Sequence, residues 1–392
     1  MGYNNQIYFL HTLCNKDLVL KACGRYWKRQ KTESEVAGHL VARYLSRGRI
    51  SVPRVLGFNS KSLRRDAVDG AKGDGLPWEW VLLEKVDGLV LSSLWPSLSG
   101  EQKLRVAKKI ADIVVELKAI PLHSFTQPSS RTLIGNLSFT PLQEETCSGH
   151  DHTSIPLDES VFHPPGQIHI SSILNGPAPT SSYTAYIRSL LEKEIRSLST
   201  LSAPPPFNVE LHPTLLPRIR ELLGRVHEDP TIATITANLN WNPVFTHGDF
   251  APRNILVLFP QDNEDGDVDP LVTVLDWEWA GFFPPHIEWD AGLYELLELL
   301  SDPCAASLSD EQSRITPRDV FLSTLHSSSV VTPFSEPKDQ WECTMKMLRL
   351  IEGLDPWWIP SDISAMNEEG RKVAEGKREC VMKDLDELLG FF

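Results

Sequence analysis

The stretch FTHGDFAPRN, residues 245–254, places a carboxylate at Asp249 and an amide at Asn254, five residues later. A carboxylate in such a loop can orient and deprotonate a hydroxyl, and an amide oxygen can bind a divalent metal ion. Downstream, the run VTVLDWEW supplies Asp276 as a second metal ligand and Glu278 as a further one. These residue types are the ones that magnesium-assisted transfer of a phosphoryl group to a hydroxyl needs.

A cation for nucleotide phosphates has a candidate in the N-terminal part. Lys21 closes the β-type run DLVLK, and Glu35 on the following helical segment is predicted to pair with it and hold it against the phosphates. Glu33 is the weaker candidate for that pair. The segment LLEKVDG, residues 82–88, is interpreted as a hinge between two halves that would enclose ATP. The residues whose backbone groups are predicted to contact adenine are Glu84, Lys85 and Val86.

Three further residues have two interpretations each. His247 lies at the base of the Asp249 loop, where a structural hydrogen bond that fixes the loop is favoured over a proton carrier. Arg253 either contacts substrate or phosphate, or it braces the loop through an ion pair. Asp290, at a predicted helix start after PPHIEW, either binds a substrate amine or caps that helix.

The elements that must position these residues are, up to residue 86, short strands and a single helix. Branched and aromatic residues between turn formers predict the strands. In the segment 34–48 apolar residues recur at helical spacing, so one face that includes Tyr44 is predicted to be buried. The predicted order is strand, strand, helix, strand, strand. The strands quoted for this prediction are IYFL (7–10), DLVLKA (17–22) and WEWVLLEKV (78–86).

Beyond residue 86 the pattern becomes mostly helical. Ser99 and Gln102 fit a capping box at the start of a long helix. A loop-rich insertion at about 121–180 is predicted to hold a short hairpin, and the residues from 290 onward are predicted to be mostly helical. The remaining predictions are helices at 183–201 and 214–227, β-rich runs at 254–259 and 272–280, and solvated loops at 61–77 and 261–270.

Composition narrows the class of partner. The 392 residues carry 38 basic and 52 acidic side chains, a formal net charge of -14, which suits neither a phosphate backbone nor an anionic membrane. A small molecule that is cationic or rich in hydroxyls is the easier partner on electrostatic grounds. The six cysteines are scattered without metal-ligand spacing, and no apolar run is long enough to cross a bilayer. We therefore expect a cytoplasmic protein, with its oligomeric state left open.

The order of these motifs resembles a known family. The chain is similar to the fungal branch of the aminoglycoside phosphotransferase and choline kinase-like superfamily, whose fold is like that of protein kinases. The segments that carry the resemblance are NNQIYFL, LVLKACGRYWKRQKTESEVA, ISVPRVLGF, WEWVLLEKVDG, FTHGDFAPRNILV and VLDWEWAGFFPPHIEWD. The resemblance implies that Asp249 is the catalytic carboxylate, that Asn254 and Asp276 bind magnesium, and that Lys21 binds phosphate with Glu35 as its partner.

Two features depart from related patterns. Only MGY precedes Asn4, whereas the family begins with a strand and a turn that cover the phosphates, so we expect weak ATP binding. Asp276 is followed by Trp-Glu rather than Phe-Gly, and no segment ending in Ala-Pro-Glu follows, which disfavours a protein substrate.

The sequence therefore predicts an α+β, two-lobed, protein kinase-like fold. Residues 1–86 would form a small antiparallel lobe with one main helix, and residues 87–392 a larger, mostly helical lobe. The predicted activity is ATP- and Mg2+-dependent transfer of the γ-phosphoryl group to a hydroxyl of a small molecule. The alternatives are a non-catalytic binding or scaffold protein with a kinase fold and, less favoured, a protein kinase.

Overall fold

The computed structural model describes most of the chain in separate stretches. Two compact units divide it: the first holds 1–175 and 243–332, and the second holds 176–242 and 333–392. The lobe boundary predicted at residue 86 is a different division and stays a prediction. The described residues are 5–23, 31–59, 79–121, 134–141, 166–171, 179–180, 182–200, 212–228, 242–260, 269–301, 315–334, 338–354 and 367–391.

The first unit begins with an antiparallel four-stranded sheet in the order β1-β2-β4-β3. A hairpin turn joins β1 to β2, and helix α1, Lys31–Leu45, lies between β2 and β3 in sequence. The predicted order of strand, strand, helix, strand, strand is confirmed. The predicted loop at 61–77 lies outside the described residues. The four strands are Asn5–His11, Asp17–Cys23, Val55–Asn59 and Trp80–Glu84, numbered β1 to β4.

Helix α1 is buried on all sides for most of its length. Every residue from Lys31 through Ala42 is buried, charged side chains included. The prediction that Tyr44 lies on a buried face is wrong, because burial ends at Ala42 and Tyr44 in the last turn is 58% exposed. At Gly38 an added Cβ would lie 2.7 Å from the Cβ of Ala280, so the helix backbone approaches that neighbour closely.

Two further sheets of the first unit carry the segments around Asp249 and Asp276. One has the order β10-β9-β5 and the other β7-β6-β11-β8, with all neighbours antiparallel. The hairpin predicted inside the insertion is confirmed as β6 paired with β7. These strands are β5 Leu89–Val90, β6 Gly135–Pro141, β7 Gly166–Ser171, β8 Val244–Thr246, β9 Ile255–Leu258, β10 Leu271–Val274 and β11 Gly281–Phe283.

The run 272–280 is only partly a strand. Strand β10 ends at Val274, and Asp276 has left-handed backbone angles, φ 64° and ψ 60°, followed by a short 3-10 helix at Trp277–Trp279. The prediction of a strand over the whole run is wrong past Val274, because the chain must turn there to enter β11. We call residues Asp276–Ala280 the carboxylate turn. The acidic loop predicted at 261–270 lies outside the described residues as far as 268.

The helices of the first unit follow the sequence pattern. The predicted capping box is confirmed at the start of α3, where the backbone N–H of Gln102 donates to the Ser99 hydroxyl and the backbone N–H of Ser99 donates to the Gln102 side chain. A short π-helical turn at Trp289–Leu293 joins α6 to α7. These helices are α2 Leu91–Leu94, α3 Gly100–Ala119, α6 Pro285–Glu288, α7 Tyr294–Leu300 and α8 Pro317–Ser327.

The second unit consists of helices in its described part. Helices α4, Tyr183–Thr200, and α5, His212–Glu228, pack together and confirm the two predicted helices. Helices α9, Lys338–Leu354, and α10, Glu368–Phe391, pack against each other. The predicted α+β class and the mostly helical region after residue 290 are thus confirmed for the described residues. None of the described helices has both the length and the apolar character that a membrane span requires.

Candidate active site

One buried lysine joins three carboxylates in the first unit. The Nζ of Lys21 on β2 donates to Glu35 Oε1 at 2.8 Å and to Glu278 Oε2 at 3.1 Å, and it also contacts the carboxylate of Asp276. The Lys21 side chain is 7% exposed and that of Glu35 only 1%. Of the two acidic residues predicted as partners, Glu35 is the one that the structure brings to Lys21.

Lys21 and its carboxylate neighbours affect each other's pKa values. Burial opposes the ammonium form of Lys21, but the carboxylates of Glu35, Asp276 and Glu278 raise its pKa well above its ordinary value. Burial raises the pKa of Glu35 to about 7 although Lys21 opposes that change. For Asp276 burial acts upward, yet Lys21 outweighs it and holds the pKa below its usual range. Lys21 is therefore a permanent cation beside an ionised Asp276.

A second lysine lies in the same cluster, and the sequence interpretation did not include it. Lys31, the first residue of α1, is fully buried with its Nζ 2.8 Å from Glu278 Oε1. The other oxygen of Glu278 accepts hydrogen bonds from Lys21 and from the amide of Asn5 at 3.2 Å. Glu278 thus links β1, β2 and α1 to the carboxylate turn. Lys31 belongs to no sequence motif, so only its burial and its pairing with Glu278 identified it.

Asp249 lies on the loop between β8 and β9. The amide nitrogen of Asn254 donates to its Oδ2 at 2.8 Å and to its backbone carbonyl at 2.9 Å, and the guanidinium of Arg253 pairs with its Oδ1. Burial raises the pKa of Asp249 to about 7, and the negative charges of Asp276 and Glu278 act in the same direction, against Arg253 and Asn254. A carboxylate with a pKa near neutrality is suited to accept a proton from a hydroxyl.

His247 has the structural role that the sequence favoured. Its ring is buried, and its Nδ1 accepts a hydrogen bond from the backbone N–H of Asp249 at 3.2 Å. The other ring nitrogen, Nε2, therefore carries the proton and donates to the carbonyl of Leu275 at 2.8 Å. Burial lowers the pKa of His247, which keeps the ring neutral. The neutral ring joins the Asp249 loop to the segment just before Asp276.

The backbone of the same loop is held by Glu288, a residue that sequence reasoning missed. Its carboxylate is fully buried and accepts from the backbone N–H groups of His247 at 2.7 Å and Gly248 at 3.1 Å. Lys118, near the end of α3, lies 3.3 Å from the same carboxylate. Gly248 has φ 78°, and an added Cβ would lie 2.6 Å from the Trp279 carbonyl oxygen, so only glycine fits. The acid in PPHIEWD was the available signal for this contact.

The remaining predicted residues are placed as follows. Arg253 bridges Asp249 and Glu295 at the surface, which agrees with the loop-bracing interpretation. Asp290 is exposed inside the π-helical turn and is not the N-cap of α6, whose N-cap is Pro284. In the hinge, the backbone N–H groups of Glu84 and Lys85 already donate to the carbonyls of Arg54 and Asp17. Among the described residues, no carbonyl accepts from the N–H of Val86, the third residue of the hinge.

The residues present fit a divalent metal ion. Glu35, Asp276 and Glu278 each offer a carboxylate oxygen, and these oxygens lie within 4.8 Å of one another. Both hydrogen bonds of the Asn254 side chain use its nitrogen, so its oxygen stays available as a hard ligand among the described residues. The backbone N–H of Leu275 donates to the Asn254 carbonyl at 2.8 Å, which ties the two ligand-bearing segments together. Oxygen-only donors of this kind suit magnesium.

Paired carboxylates, an amide oxygen and a buried lysine in one α+β unit are the groups of a phosphoryl-transfer site. The sequence model of the phosphotransferase enzyme family matches residues 1–289, and the chain belongs to that family. A search of curated proteins returns no match.

Several solved structures are similar to this chain at low identity. The GDP and kanamycin complex of an aminoglycoside phosphotransferase is 16% identical over 100% of this chain and 90% of its own, with a TM-score of 0.43. A streptomycin and ATP ternary complex of another is 13% identical over 90% and 86%, also at 0.43. An ethanolamine kinase of Plasmodium vivax is 9% identical over 98% and 80%, at 0.43. At such scores no conclusion about substrate follows.

Proposed function

We propose that this protein transfers the γ-phosphoryl group of ATP to a hydroxyl of a small molecule in a magnesium-dependent reaction. The observation that carries the proposal is the partly buried carboxylate of Asp249, which is hydrogen-bonded to Asn254, has a pKa of about 7 and is affected by the charges of Asp276 and Glu278. Membership of the phosphotransferase enzyme family supports the reaction class.

In this proposal Asp249 accepts a hydrogen bond from the acceptor hydroxyl and takes its proton as the oxygen attacks the γ-phosphorus. The bond between the γ-phosphorus and the bridging oxygen breaks, and ADP leaves with that oxygen. Lys21, fixed by Glu35, neutralises charge on the phosphates. Asn254 and Asp276 would hold magnesium, with Glu278 as a further ligand, and magnesium bound there would neutralise negative charge on the phosphates.

The nucleotide base is proposed to lie along the hinge. Glu84, Lys85 and Val86 are the predicted adenine contacts, and within the described part of the chain no carbonyl accepts from the Val86 N–H. The carbonyl oxygens of these residues would accept from the base. His247 is assigned to loop support, and Arg253 to bracing the carboxylate of Asp249.

The acceptor is proposed to be a small molecule that is cationic or rich in hydroxyls. The formal net charge of -14 favours such a partner over nucleic acid or an anionic membrane. Asp290 is exposed two residues after Glu288, the residue that holds the Asp249 loop, and it stays a candidate contact for a substrate amine. A cytoplasmic location is part of the same proposal, because scattered cysteines without metal-ligand spacing are typical of that compartment.

Replacing Asp249 by Asn tests the reaction. D249N keeps the size of the side chain but removes the proton acceptor, so we expect transfer to fall by at least about 100-fold. The assay measures ADP release in a screen of amines, sugars and aminoglycosides with Mg2+-ATP or Mg2+-GTP. The control is D112N, which removes a surface carboxylate of α3 that pairs with Lys108. Transfer by D249N at the wild-type rate would overturn the assignment.

Nucleotide binding distinguishes an enzyme from a non-catalytic protein with a kinase fold. A ligand that binds only the folded state raises the melting temperature, and the rise grows with the logarithm of one plus the ratio of ligand concentration to Kd. We expect Mg2+-ATP at millimolar concentration to raise the melting temperature of both wild type and D249N. Absence of a shift together with absence of transfer would favour the binding or scaffold alternative.

A further inference from the structure

Strand β6 contacts both elements that carry the carboxylates around Lys21. The amide nitrogen of Asn136 donates to the carbonyl of Trp279 at 2.9 Å, and the backbone N–H of Leu137 donates to the carbonyl of Ala280 at 3.2 Å. Both carbonyls belong to the carboxylate turn. Two consecutive residues of β6 thus fix the backbone just after Asp276 and Glu278. We call Asn136–Ser138 the β6 clamp.

The third residue of the clamp holds helix α1. The hydroxyl of Ser138 donates to Glu33 Oε2 at 2.9 Å, and both side chains are 3% exposed. A buried carboxylate needs such a donor, since an unpaired one is strongly disfavoured. Glu33 is therefore held at β6, whereas Glu35 is the glutamate of α1 that pairs with Lys21.

The two glutamates hold α1 from different directions. Successive residues of an α-helix are about 100° apart around its axis, so Glu33 and Glu35 lie roughly 200° apart. Glu35 points to Lys21 and Glu33 to Ser138. A rotation of α1 that broke the contact with Lys21 would also break the contact with Ser138. The hydroxyl of Ser34 adds a third link, to the Ala280 carbonyl at 3.4 Å.

We propose that the β6 clamp is a positioning device for the nucleotide site: it fixes α1 against the carboxylate turn so that Glu35 stays paired with Lys21. The inference rests on the proposed function for its consequence, since the aligned Lys21 is what binds phosphate. The clamp comes from the hairpin inside the insertion at about 121–180. Ser138 and Asn136 are positioning residues and touch no reacting atom.

The test compares two buried serines: Ser138 of β6, which contacts the first turn of α1, and Ser46, which directly follows the last residue of α1. S138A removes the bond to Glu33, whereas S46A removes a bond from the Ile50 N–H to a serine that is 1% exposed just after the helix. Two readouts are made on the full chain: amide hydrogen exchange of the first half of α1 without ligand, and the Kd of Mg2+-ADP by calorimetry. We expect S138A to speed exchange there and to weaken Mg2+-ADP by about fivefold or more, and S46A to change the Kd by less than about twofold.

A double variant checks that the two residues act as a pair. If Ser138 acts through Glu33, then E33Q/S138A should bind Mg2+-ADP within about twofold of the weaker single variant rather than showing the product of the two losses. Unchanged exchange and unchanged Kd in S138A, or equal losses in S138A and S46A, would overturn the clamp. Hydrogen exchange needs no catalysis, so a wild type that binds no nucleotide would overturn the proposed function, while the exchange comparison would still decide the clamp.

Discussion

At the scale of single residues, the Asp249 loop is held by the buried carboxylate of Glu288, which does not contact the substrate in the proposed reaction. Glu288 accepts two backbone N–H groups of the loop, and Lys118 neutralises it. Burial lowers the pKa of Lys118, but the adjacent carboxylate acts against that change. Breaking a buried ion pair on one side leaves a bare charge, which commonly costs about 3–5 kcal/mol.

We expect E288Q to lower the free energy of unfolding by about 3 kcal/mol, because it leaves Lys118 without its counter-charge and two N–H groups with one good acceptor. Urea denaturation measures the change. The double variant K118M/E288Q should recover part of the loss. The surface pair Lys108–Asp112 supplies the control, since K108M should change stability by less than about 1 kcal/mol. Equal effects of E288Q and K108M would contradict the role given to Glu288.

At the scale of elements, α1 is a buried helix that has no solvent-exposed polar face over most of its length. A helix at the surface has a polar face, whereas α1 is buried from Lys31 through Ala42, so its charged residues must find partners inside. Lys31 pairs with Glu278, Glu33 with Ser138 and Glu35 with Lys21. The helix is thus held by polar contacts on several sides as well as by apolar packing, and it cannot shift without breaking them.

Replacing glycine by alanine should have opposite effects on stability at Gly38, where α1 lies close to the carboxylate turn, and at Gly224, which has open space around it. G38A should destabilise by about 1–3 kcal/mol, because its Cβ would meet Ala280 and Trp277 at 2.7 and 2.9 Å. G224A in α5 meets nothing within 4 Å and should stabilise by about 0.5–1 kcal/mol through higher helix propensity. Thermal or urea unfolding measures both. A stabilising G38A would show that α1 can move away from the turn.

At the scale of the whole molecule, buried neutral histidines link stability to pH. Burial lowers the pKa of His39 to about 3 from an ordinary value of 6.5, and it also lowers the pKa of His286 and of His247. Below pH 6.5 the unfolded chain binds protons at these positions that the folded chain does not. The contribution of these histidines to folding stability is therefore fully present above that pH and is lost as the pH falls below it.

The buried histidines should lower the free energy of unfolding as the pH falls from 6.5 to 5, His39 by up to about 1.4 kcal/mol per pH unit, whereas Glu35 and Asp249, whose pKa is about 7 in the folded state, contribute in the opposite direction. The variant H39L removes one of these sites, so its slope should be smaller by about that amount, whatever its stability at pH 7.5. Urea titrations at pH 7.5, 6.5 and 5.5 give the slopes. An H39L slope equal to that of wild type would mean that His39 takes up its proton in the folded state as well.

The sequence alone determined the order of elements, the capping box of α3 and the residues proposed for chemistry, because these depend on local periodicity and on residue type at fixed spacing. Local pattern also identified the hairpin, although not what it contacts. The sequence also favoured Glu35 over Glu33 as the partner of Lys21. Tertiary structure decided the partners that the sequence did not indicate: Ser138 for Glu33, Lys31 for Glu278, and Glu288 for the backbone of the Asp249 loop. These pairs join residues far apart in the chain, and burial forces each buried charge to find an opposite charge or a hydrogen-bond donor that no spacing in the sequence specifies.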